Sequence, residues 1–343
     1  MNHPIVEGHA AVRAALRDPE RYSSDLQGDR DVRTYKQLPL EVDPPTHGDY
    51  RAILTPLFSA DRVAGLAPQF RAIADDLLDE LVQKSTFDVP KDLALEMVVR
   101  CLGVVFERPG DVDEWRSWGP DVWITTENGR SGAHLQTYLE QTFADVAANP
   151  GTDAFSVIDS ATINGRPLSE QEKHGIANII LAGGRDTVVK LMTGFMWHLG
   201  KNPDVVAELS KNRVAIARAI DEMVRWLSPL PMMERIDTTR STDSDEPAYT
   251  WIAFVSANHD ATVFDQPEQI DLARHPNPHM GFGGGPHACI GNQVAKAETR
   301  ALLESLFDSG LTWHITDADI DWVNVSDSRI PGRFHSVTAA WNR

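Results

Sequence analysis

A glycine-rich segment around the second cysteine restricts the fold of this chain more than any other feature. Residues 281–291 read Gly-Phe-Gly-Gly-Gly-Pro-His-Ala-Cys-Ile-Gly, and a helical pattern follows at 291–307. Glycines let the backbone adopt positive φ angles and approach a bound group closely. Because N–H groups at a helix N-terminus stabilise negative charge, they favour the thiolate form of a cysteine placed just before the helix. We therefore expect Cys289 to have a lowered pKa and to bind iron as a thiolate.

Other uses of such a loop fit these residues less well. A phosphate-binding loop requires Gly-Lys-Ser/Thr, and a dinucleotide-binding loop requires G-x-G-x-x-G after a strand. Neither pattern is met, since Pro286 occupies the last glycine position. A zinc site needs more ligands than Cys289 and His287 supply. A plain turn and a catalytic cysteine nucleophile both remain open on these residues alone.

Cysteine content and charge narrow the class of protein. The only other cysteine, Cys101, follows an apolar helical stretch and is expected to be a small buried side chain. The sequence therefore predicts no disulfide framework and a cytoplasmic location. Fifty acidic and 32 basic residues give a net charge of −18, which disfavours nucleic acid and anionic membrane surfaces as partners. With no signal-peptide pattern and no apolar stretch near ~18 residues, we expect a soluble protein.

Helical periodicity dominates most of the chain, and no repeat or linker marks a domain boundary. We expect a single domain over residues 1–343 that is mainly α with a small β portion. The longest predicted helix begins at a capping box formed by Ser169 and Glu172 and ends near Asn202, spanning roughly 45 Å. A strand is predicted at 249–257. Other helices are predicted at 6–16, 44–57, 67–82, 205–211, 214–227 and 291–307.

The loop resembles the haem-binding signature of the cytochrome P450 family, Phe-Gly-x-Gly-x-His-x-Cys-x-Gly, at every fixed position. The stretch 294–298 is similar to the Leu-Ala-Arg-x-Glu that follows it, and the resemblance covers nearly the whole chain from about residue 5. It implies the family's fold, with haem b held between the long helix and the loop. It also implies that Cys289 is the axial ligand to iron, with Phe282, His287 and Gly291 around the haem.

Other motifs of the family occur in the expected order. Glu222 and Arg225 match its Glu-x-x-Arg, whose partner in the family is an arginine upstream of the haem loop, here Arg274. The resemblance implies that these three brace the loop structurally. Residues 43–51 match the helix that holds a haem propionate in the family. The implied propionate contacts are His47, Arg51, Arg235 and His287.

The centre of the long helix carries Gly-Gly-Arg-Asp-Thr at 183–187. Each mid-helix glycine costs about 1 kcal/mol relative to alanine, so the pair indicates a kink or a need for space. The segment is similar to the family's Ala/Gly-Gly-x-Asp/Glu-Thr, and most like that of the camphor-hydroxylase branch. The resemblance implies that Thr187 hydrogen-bonds dioxygen or a water, while Asp186 connects the site to bulk protons. Arg185 is expected to face away from the haem.

The implied activity is that of an oxidoreductase, the monooxygenation of a small, mainly apolar molecule. One oxygen atom of dioxygen enters the substrate and the other leaves as water. Electrons are expected from a ferredoxin-type donor with its NAD(P)H reductase, docking on the Cys289 side near Arg71 or Arg100. Arg329 and Arg333 are either substrate-carboxylate ligands or exposed surface residues. The expected pocket residues are Ile179, Ala182, Gly183, Leu230, Met232 and Met233.

Two other functions remain open beside this one. A haem-thiolate enzyme of this kind can use peroxide or couple substrates oxidatively, although the Asp-Thr pair at 186–187 favours dioxygen. A non-catalytic haem protein that binds or senses a small molecule is the second alternative.

Three parts of the chain depart from the family's pattern. The chain begins late and lacks an initial strand and helix, and 241–249 lacks the usual Gly-x-x-Ile-Pro-x-Gly hairpin. The region 110–150 is short for the roof of the pocket. It carries Trp115, Trp118 and Trp123 among polar residues, which are expected on amphipathic helices packed against the core or on a flexible roof. None of the three is expected to touch the iron site, and the late start and the short 110–150 region are expected to alter the shape and closure of the pocket.

Overall fold

A computed structural model of the chain describes residues 3–26, 35–119, 124–126, 129–240, 247–325 and 328–342, with the side chains of 124–126 and 129–131 excepted. Helices dominate these ranges, and several follow one another with short connections. The helices are α1 (His9–Ala15), α2 (Thr46–Leu54), α3 (Ala60–Leu81), α4 (Glu96–Val105), α5 (Val112–Ser117), α6 (Ala133–Ala148), α7 (Ala154–Ser160), α8 (Glu170–Ala182), α9 (Asp186–Lys201), α10 (Pro203–Lys211), α11 (Ile216–Leu227), α12 (Phe254–Asn258) and α13 (Asn292–Ser309).

The strands form small sheets at the edges of the helical body. The strands are β1 (Ile5–Val6), β2 (Tyr22–Ser23), β3 (Thr86–Asp88), β4 (Ile124–Thr126), β5 (Gly129–Ser131), β6 (Thr162–Ile163), β7 (Arg166–Pro167), β8 (Met233–Asp237), β9 (Tyr249–Ile252), β10 (Trp313–Val325) and β11 (Ser328–Trp341). The largest sheet has the order β1-β9-β8-β2, and a second has the order β10-β11-β3. β10 and β11 pair antiparallel in a long hairpin with register shifts along it.

The main core lies between α3, α4, α9, α11 and α13, whose apolar faces meet. Phe70 and Leu77 of α3, Val98 of α4 and Leu306 of α13 are fully buried in one apolar cluster. These residues recur at helical spacing along their elements, so each helix presents one apolar stripe to the others. Cys101 is buried in the same cluster on α4.

The predicted long helix is in fact two helices. α8 begins with the capping box, in which Ser169 Oγ accepts from Glu172 N and Glu172 accepts from Ser169 N. It ends at Ala182, and α9 begins only at Asp186. A Cβ at residue 183 would lie 2.8 Å from the carbonyl oxygen of Ile179, so this turn requires glycine. A continuous helix over 169–202 is therefore wrong at its centre.

The strand predicted at 249–257 is correct only in its first half. β9 ends at Ile252, and Phe254–Asn258 form α12, which packs against α1 and α11. Apolar residues continue through both elements, with Ala257 buried beside Val12 of α1. In a short apolar run, periodicity does not distinguish a strand from a buried helix. The sequence pattern therefore does not locate the boundary between β9 and α12.

The roof region packs against the core where it is described. Trp115 of α5 is fully buried and Trp118 is nearly so, in edge-on contact with the ring of Tyr138 on α6. Both tryptophans pack against the core, so of the two arrangements expected from the sequence, packed amphipathic helices and a flexible roof, the first is the one observed. Trp123 lies outside the described residues, as do 241–246. None of the helices in the described ranges combines the length and apolar character that crossing a membrane requires.

Candidate active site

The loop before α13 folds back on itself and against the end of α1. Cys289 N donates to the carbonyl oxygen of Phe282 at 2.8 Å, which closes the loop. Gly285 has a φ of 64°, and a Cβ there would overlap the carbonyl oxygen of Leu16. Glycine at this position therefore satisfies both the backbone angle and the close approach to Leu16.

Cys289 is an exposed residue of this loop. Protein nevertheless surrounds it closely enough that burial raises the pKa of its thiol. A hydrogen bond from the N–H of Gly291 and the positive charge of Arg51 oppose this shift without cancelling it. The lowered pKa expected from the sequence is therefore wrong for the protein alone, because desolvation outweighs the helix N-terminus. Coordination to a metal ion would itself deprotonate the thiol.

Four basic side chains from three separate segments converge beside this loop. His47 and Arg51 lie on α2, Arg235 on β8, and His287 in the loop, with the two imidazole rings 4.2 Å apart. Arg51 donates to the carbonyl oxygen of Ala288 at 2.7 Å, which ties α2 to the loop.

These basic side chains are buried or half-buried, and the nearby charges of Asp43 and Glu41 only partly offset the burial of Arg235. Burial lowers the pKa of Arg235 to about 10, and burial followed by the charges of Arg235, His47 and Arg51 lowers the pKa of His287 to about 3. Among the described residues, no carboxylate hydrogen-bonds any of the four, and His47 Nε2 is buried without a partner. A concentration of buried donors of this kind fits a group with two carboxylates.

The residues present thus fit haem b. The basic cluster would hold its propionates, and the sulfur of Cys289 would hold its iron. No group of three or more His, Cys, Asp or Glu side chains in the described part of the chain could hold a metal ion, so a zinc site at Cys289 has no support. Phe282 and Gly291 flank the cysteine and are half-buried around the same loop.

A buried charge cluster connects α11 to the segment leading into the loop. Arg225 donates to both carboxylate oxygens of Glu222 at 2.8 Å, and Arg274 Nε lies 3.1 and 3.2 Å from the same two oxygens. Asn277, near the start of the loop, also donates to Glu222 at 3.2 Å. The remaining donors of Arg225 bond the carbonyl oxygens of Asn258, Pro267 and Gln269.

The break between α8 and α9 presents polar groups to open space. Gly183 and Asp186 are exposed although they lie between buried stretches of the two helices. Thr187 Oγ1 donates to the carbonyl oxygen of Gly183 at 3.3 Å, and Thr187 N donates to Asp186. Arg185 points the other way, since it is fully buried and donates to the carbonyl oxygens of Trp115 and Gly119.

Two cavities lie along α9, and the larger of them reaches this break. The larger, about 920 Å³, lies between α3, α4, α5, α9 and β11, and Asp186 is part of its wall. The smaller, about 470 Å³, lies between α9, β9, the segment after α11 and the β10–β11 hairpin. Charged side chains from five elements line the larger cavity, among them Glu80, Asp88, Glu96, Arg100, Arg116 and Lys190.

Of the six pocket residues expected from the sequence, one lines one of these two cavities and five line neither. Gly183 is exposed, and the other five are half-buried on α8 and on the segment after α11. Met232 lines the smaller cavity, whereas Leu230 and Met233 pack against the apolar cluster of α1 and α12. Arg329 is exposed, lies over the ring of Trp322, and lines neither cavity.

The two arginines expected near the Cys289 face lie elsewhere. Arg71 is paired with Asp75 and Asp308 at the far end of α13, and Arg100 is paired with Glu80 and Glu96 on the larger cavity. α13 is 18 residues long, so at 1.5 Å per residue its two ends are about 27 Å apart. Neither arginine therefore offers an unpaired charge beside Cys289.

Two features of the site gave no usable signal in the sequence. Ser24 Oγ lies 3.1 Å from His287 Nε2, but a serine in a loop carries no pattern that predicts such a contact. The charged walls of the larger cavity come from residues up to 255 positions apart, between Glu80 and His335. Pairs on one helix could have been found, because Asp186 and Lys190 on α9, like Glu96 and Arg100 on α4, are four residues apart and share a helix face.

Comparisons with known proteins agree with this arrangement. A family model described as cytochrome P450 matches residues 251–309. The chain is 30% identical over 312 residues to a steroid C26-monooxygenase of Mycobacterium tuberculosis, covering 86% of this chain and 83% of that protein. It is 28% identical over 333 residues to the cyclomarin C epoxidase of Salinispora arenicola, covering 91% and 84%. A solved structure described as a carbohydrate active P450 matches with a TM-score of 0.90 and 29% identity, covering 100% of this chain and 94% of that one.

Proposed function

The chain belongs to the cytochrome P450 family. We propose that it oxidises a polar, hydroxyl-rich substrate of the carbohydrate type. The fold is the cytochrome P450 fold, the cofactor of the family is haem b, and the enzyme is a P450 monooxygenase. The observation that carries the substrate proposal is the charged wall of the 920 Å³ cavity that Asp186 also lines.

The cavity wall disfavours the apolar substrate that the sequence suggested. An apolar molecule would remove water from Lys190 and Arg333, which have no ion pair among the described residues, without replacing its hydrogen bonds, at a cost of roughly 1–3 kcal/mol for each unsatisfied group. A molecule with several hydroxyl groups both donates and accepts hydrogen bonds, and so satisfies carboxylates and guanidinium groups alike. The structural neighbour described as a carbohydrate active P450 supports the same substrate class.

We assign the residues around the cofactor as follows. When bound, haem supplies an iron centre that binds and activates dioxygen, with thiolate donation favouring O–O cleavage. Cys289 would ligate the iron, and His47, Arg51, Arg235 and His287 would hold the propionates. Glu222, Arg225 and Arg274 would keep the loop in position from the side of α11.

The Asp186–Thr187 pair would deliver protons. Thr187 Oγ1 donates to Gly183 O at 3.3 Å in the break of the helix, and its hydroxyl can rotate from that carbonyl to donate to a group placed there. Asp186 is exposed to the cavity, so its carboxylate can exchange protons with water and resupply the threonine. The segment is similar to that of the camphor-hydroxylase branch, and this likeness supports the proton role but not a terpenoid substrate.

Replacing Thr187 with alanine should uncouple electron use from product formation. Loss of a positioned proton donor costs about 10²–10⁴-fold in the step that it serves. We therefore expect the product formed per NAD(P)H to fall at least about tenfold and hydrogen peroxide to rise, with haem content unchanged. Thr187→Ser, which keeps the hydroxyl, is the matched control. Equal product per NAD(P)H in the alanine variant and the wild type would contradict this role.

A binding titration tests the substrate class. Methyl glycosides of hexoses are expected to shift the Soret band of the haem-loaded enzyme and to be oxidised, while terpenoids and small aromatics of similar size bind at least about tenfold more weakly. The expected difference corresponds to one or two unsatisfied polar groups, at about 1.4 kcal/mol per tenfold change. Tighter binding of the apolar compounds would refute the carbohydrate proposal. Turnover with peroxide alone, and none with dioxygen and a donor, would favour the peroxygenase alternative.

The remaining assignments are also proposals. We expect a ferredoxin-type donor with its NAD(P)H reductase, because enzymes of the cytochrome P450 family take electrons from redox partners. The fold shared with the carbohydrate active P450 occupies the whole of this sequence, which supports one haem domain over residues 1–343. The two unbridged cysteines favour a cytoplasmic location.

A further inference from the structure

The two cavities share part of their walls. Lys190 of α9 and Gly332 and Arg333 of β11 line both the 920 Å³ cavity and the 470 Å³ cavity. The cavities therefore meet at a point where two cationic side chains stand on neighbouring elements. A substrate that extends from one cavity into the other must pass these two side chains.

Lys190 is a half-buried ammonium group that the rest of the protein does not neutralise by contact. Within the described ranges it makes no hydrogen bond and no ion pair, and Asp186, one turn earlier, only opposes the burial effect. Burial lowers the pKa of Lys190 to about 8. A lysine held in this way is costly unless an anion meets it there.

Arg333 is also without an ion pair in the part of the chain that the structure describes. Its cross-strand neighbour on β10 is Asp321, but the carboxylate of Asp321 is engaged by His335 at 2.7 Å. The exposed side chain of Arg333 stays at the junction, where a planar guanidinium can bind two oxygens of one group.

The other cations of the larger cavity differ from these two. Arg100 is paired with Glu80 and Glu96, and Lys84 with Asp92. Arg116 is likewise held by carboxylates. Lys91 has no ion pair among the described residues, but it is exposed and lines the larger cavity only.

We propose that Lys190 and Arg333 together bind an anionic group of the substrate, a carboxylate or a sulfate, at the junction of the two cavities. This inference rests on the proposed function, because the anionic group would be part of a hydroxyl-rich substrate bound at the same site. Asp186, Asp321 and Glu7 also line the two cavities, and their charges oppose the binding of an anion that the two cations do not contact directly. The substrate would be an acidic saccharide, oriented by its charged end.

The test compares three probes on the haem-loaded enzyme at constant ionic strength. The probes are a methyl hexoside, the corresponding methyl uronide and the corresponding hexoside sulfate, titrated both by the Soret shift and by calorimetry. We expect at least one anionic probe to bind about tenfold or more tightly than the neutral one. Which of the two binds more tightly distinguishes a carboxylate from a sulfate.

Variants of the two cations locate the effect. Lys190→Gln and Arg333→Gln should each weaken binding of the anionic probe by at least about tenfold, because each removes a charged hydrogen-bond partner. Both should weaken binding of the neutral hexoside much less than binding of the anionic probe, because a hydroxyl group loses a hydrogen bond but no charge interaction. Arg333→Lys, which keeps the charge, should lose less than Arg333→Gln. The control is Lys201→Gln, which removes an exposed charge from the same helix and lines neither cavity.

The outcomes separate this inference from the proposed function. Neutral hexosides that bind as well as their anionic counterparts would overturn the inference and leave the carbohydrate proposal intact. Anionic binding that is equally weakened by Lys201→Gln would also overturn it, because the effect would then be one of net charge. If apolar compounds bind and none of the saccharides does, both proposals are wrong.

Discussion

Replacing Cys289 with alanine is expected to abolish the long-wavelength Soret band of the reduced, carbon monoxide-bound enzyme. That band depends on thiolate ligation, and Cys289 is the accessible cysteine of the two, whereas Cys101 is buried in the apolar core. No other described group near the loop can replace it as a thiolate. The band should move to the shorter wavelength of haem without thiolate, and oxygenation should be lost.

Haem itself should not be lost completely in this variant. The basic side chains of His47, Arg51, Arg235 and His287 are untouched, so the propionates keep their partners. We expect reduced haem content together with a changed spectrum, measured by the pyridine haemochrome assay and the carbon monoxide difference spectrum. Cys101→Ala is the matched control and should keep the long-wavelength band. Survival of that band in Cys289→Ala would show that the axial ligand has been assigned wrongly.

The loop around Cys289 could be recognised from the sequence because its determinants are contiguous. At position 285 the backbone has a positive φ and lies too close to Leu16 for a side chain, and glycine satisfies both conditions. The glycine in the sequence therefore indicates this local geometry directly. The pair Glu222 and Arg225 is equally local, since three residues on a helix bring the two side chains together. The partnership with Arg274 came from the resemblance to the family, not from spacing.

The larger cavity, which we propose binds the substrate, could not be derived in the same way. Its walls include Glu80, Glu96, Arg116 and Arg333, which belong to four different elements. Nothing in the local sequence around each of them distinguishes it from an ordinary charged surface residue. Only tertiary packing turns them towards a common space. The raised pKa of Cys289 is a similar case, because desolvation depends on how much protein surrounds the sulfur rather than on the neighbouring sequence.

The second large effect is expected on stability when Glu222 is replaced by glutamine. Glu222 and Arg225 are both fully buried, and Arg274 donates to the same carboxylate. Glutamine removes the negative charge and leaves two guanidinium groups beside a neutral side chain in the interior. Breaking a buried ion pair in this way costs about 3–5 kcal/mol, a large part of the 5–15 kcal/mol that typically holds a protein folded.

The haem loop should unfold at a lower urea concentration than the rest of the fold in this variant. Asn277, close to the start of the loop, donates to Glu222, and Asp271 N does so as well, so both anchors weaken together. We expect urea denaturation of the haem-loaded variant to show haem release, followed by the Soret band, at lower urea than helix loss followed by circular dichroism. In the wild type the two transitions should lie closer together.

A surface pair of the same chemistry provides the control. Arg300 and Glu304 form an ion pair at i and i+4 on α13, and both are partly exposed. Solvent screens such pairs, so Glu304→Gln should change the free energy of unfolding by no more than about 1 kcal/mol. A similar small change in Glu222→Gln would mean that the buried cluster contributes little to stability. The role of Glu222, Arg225 and Arg274 in holding the loop would then be wrong, because a cluster whose loss does not change the free energy of unfolding does not hold the cysteine in position.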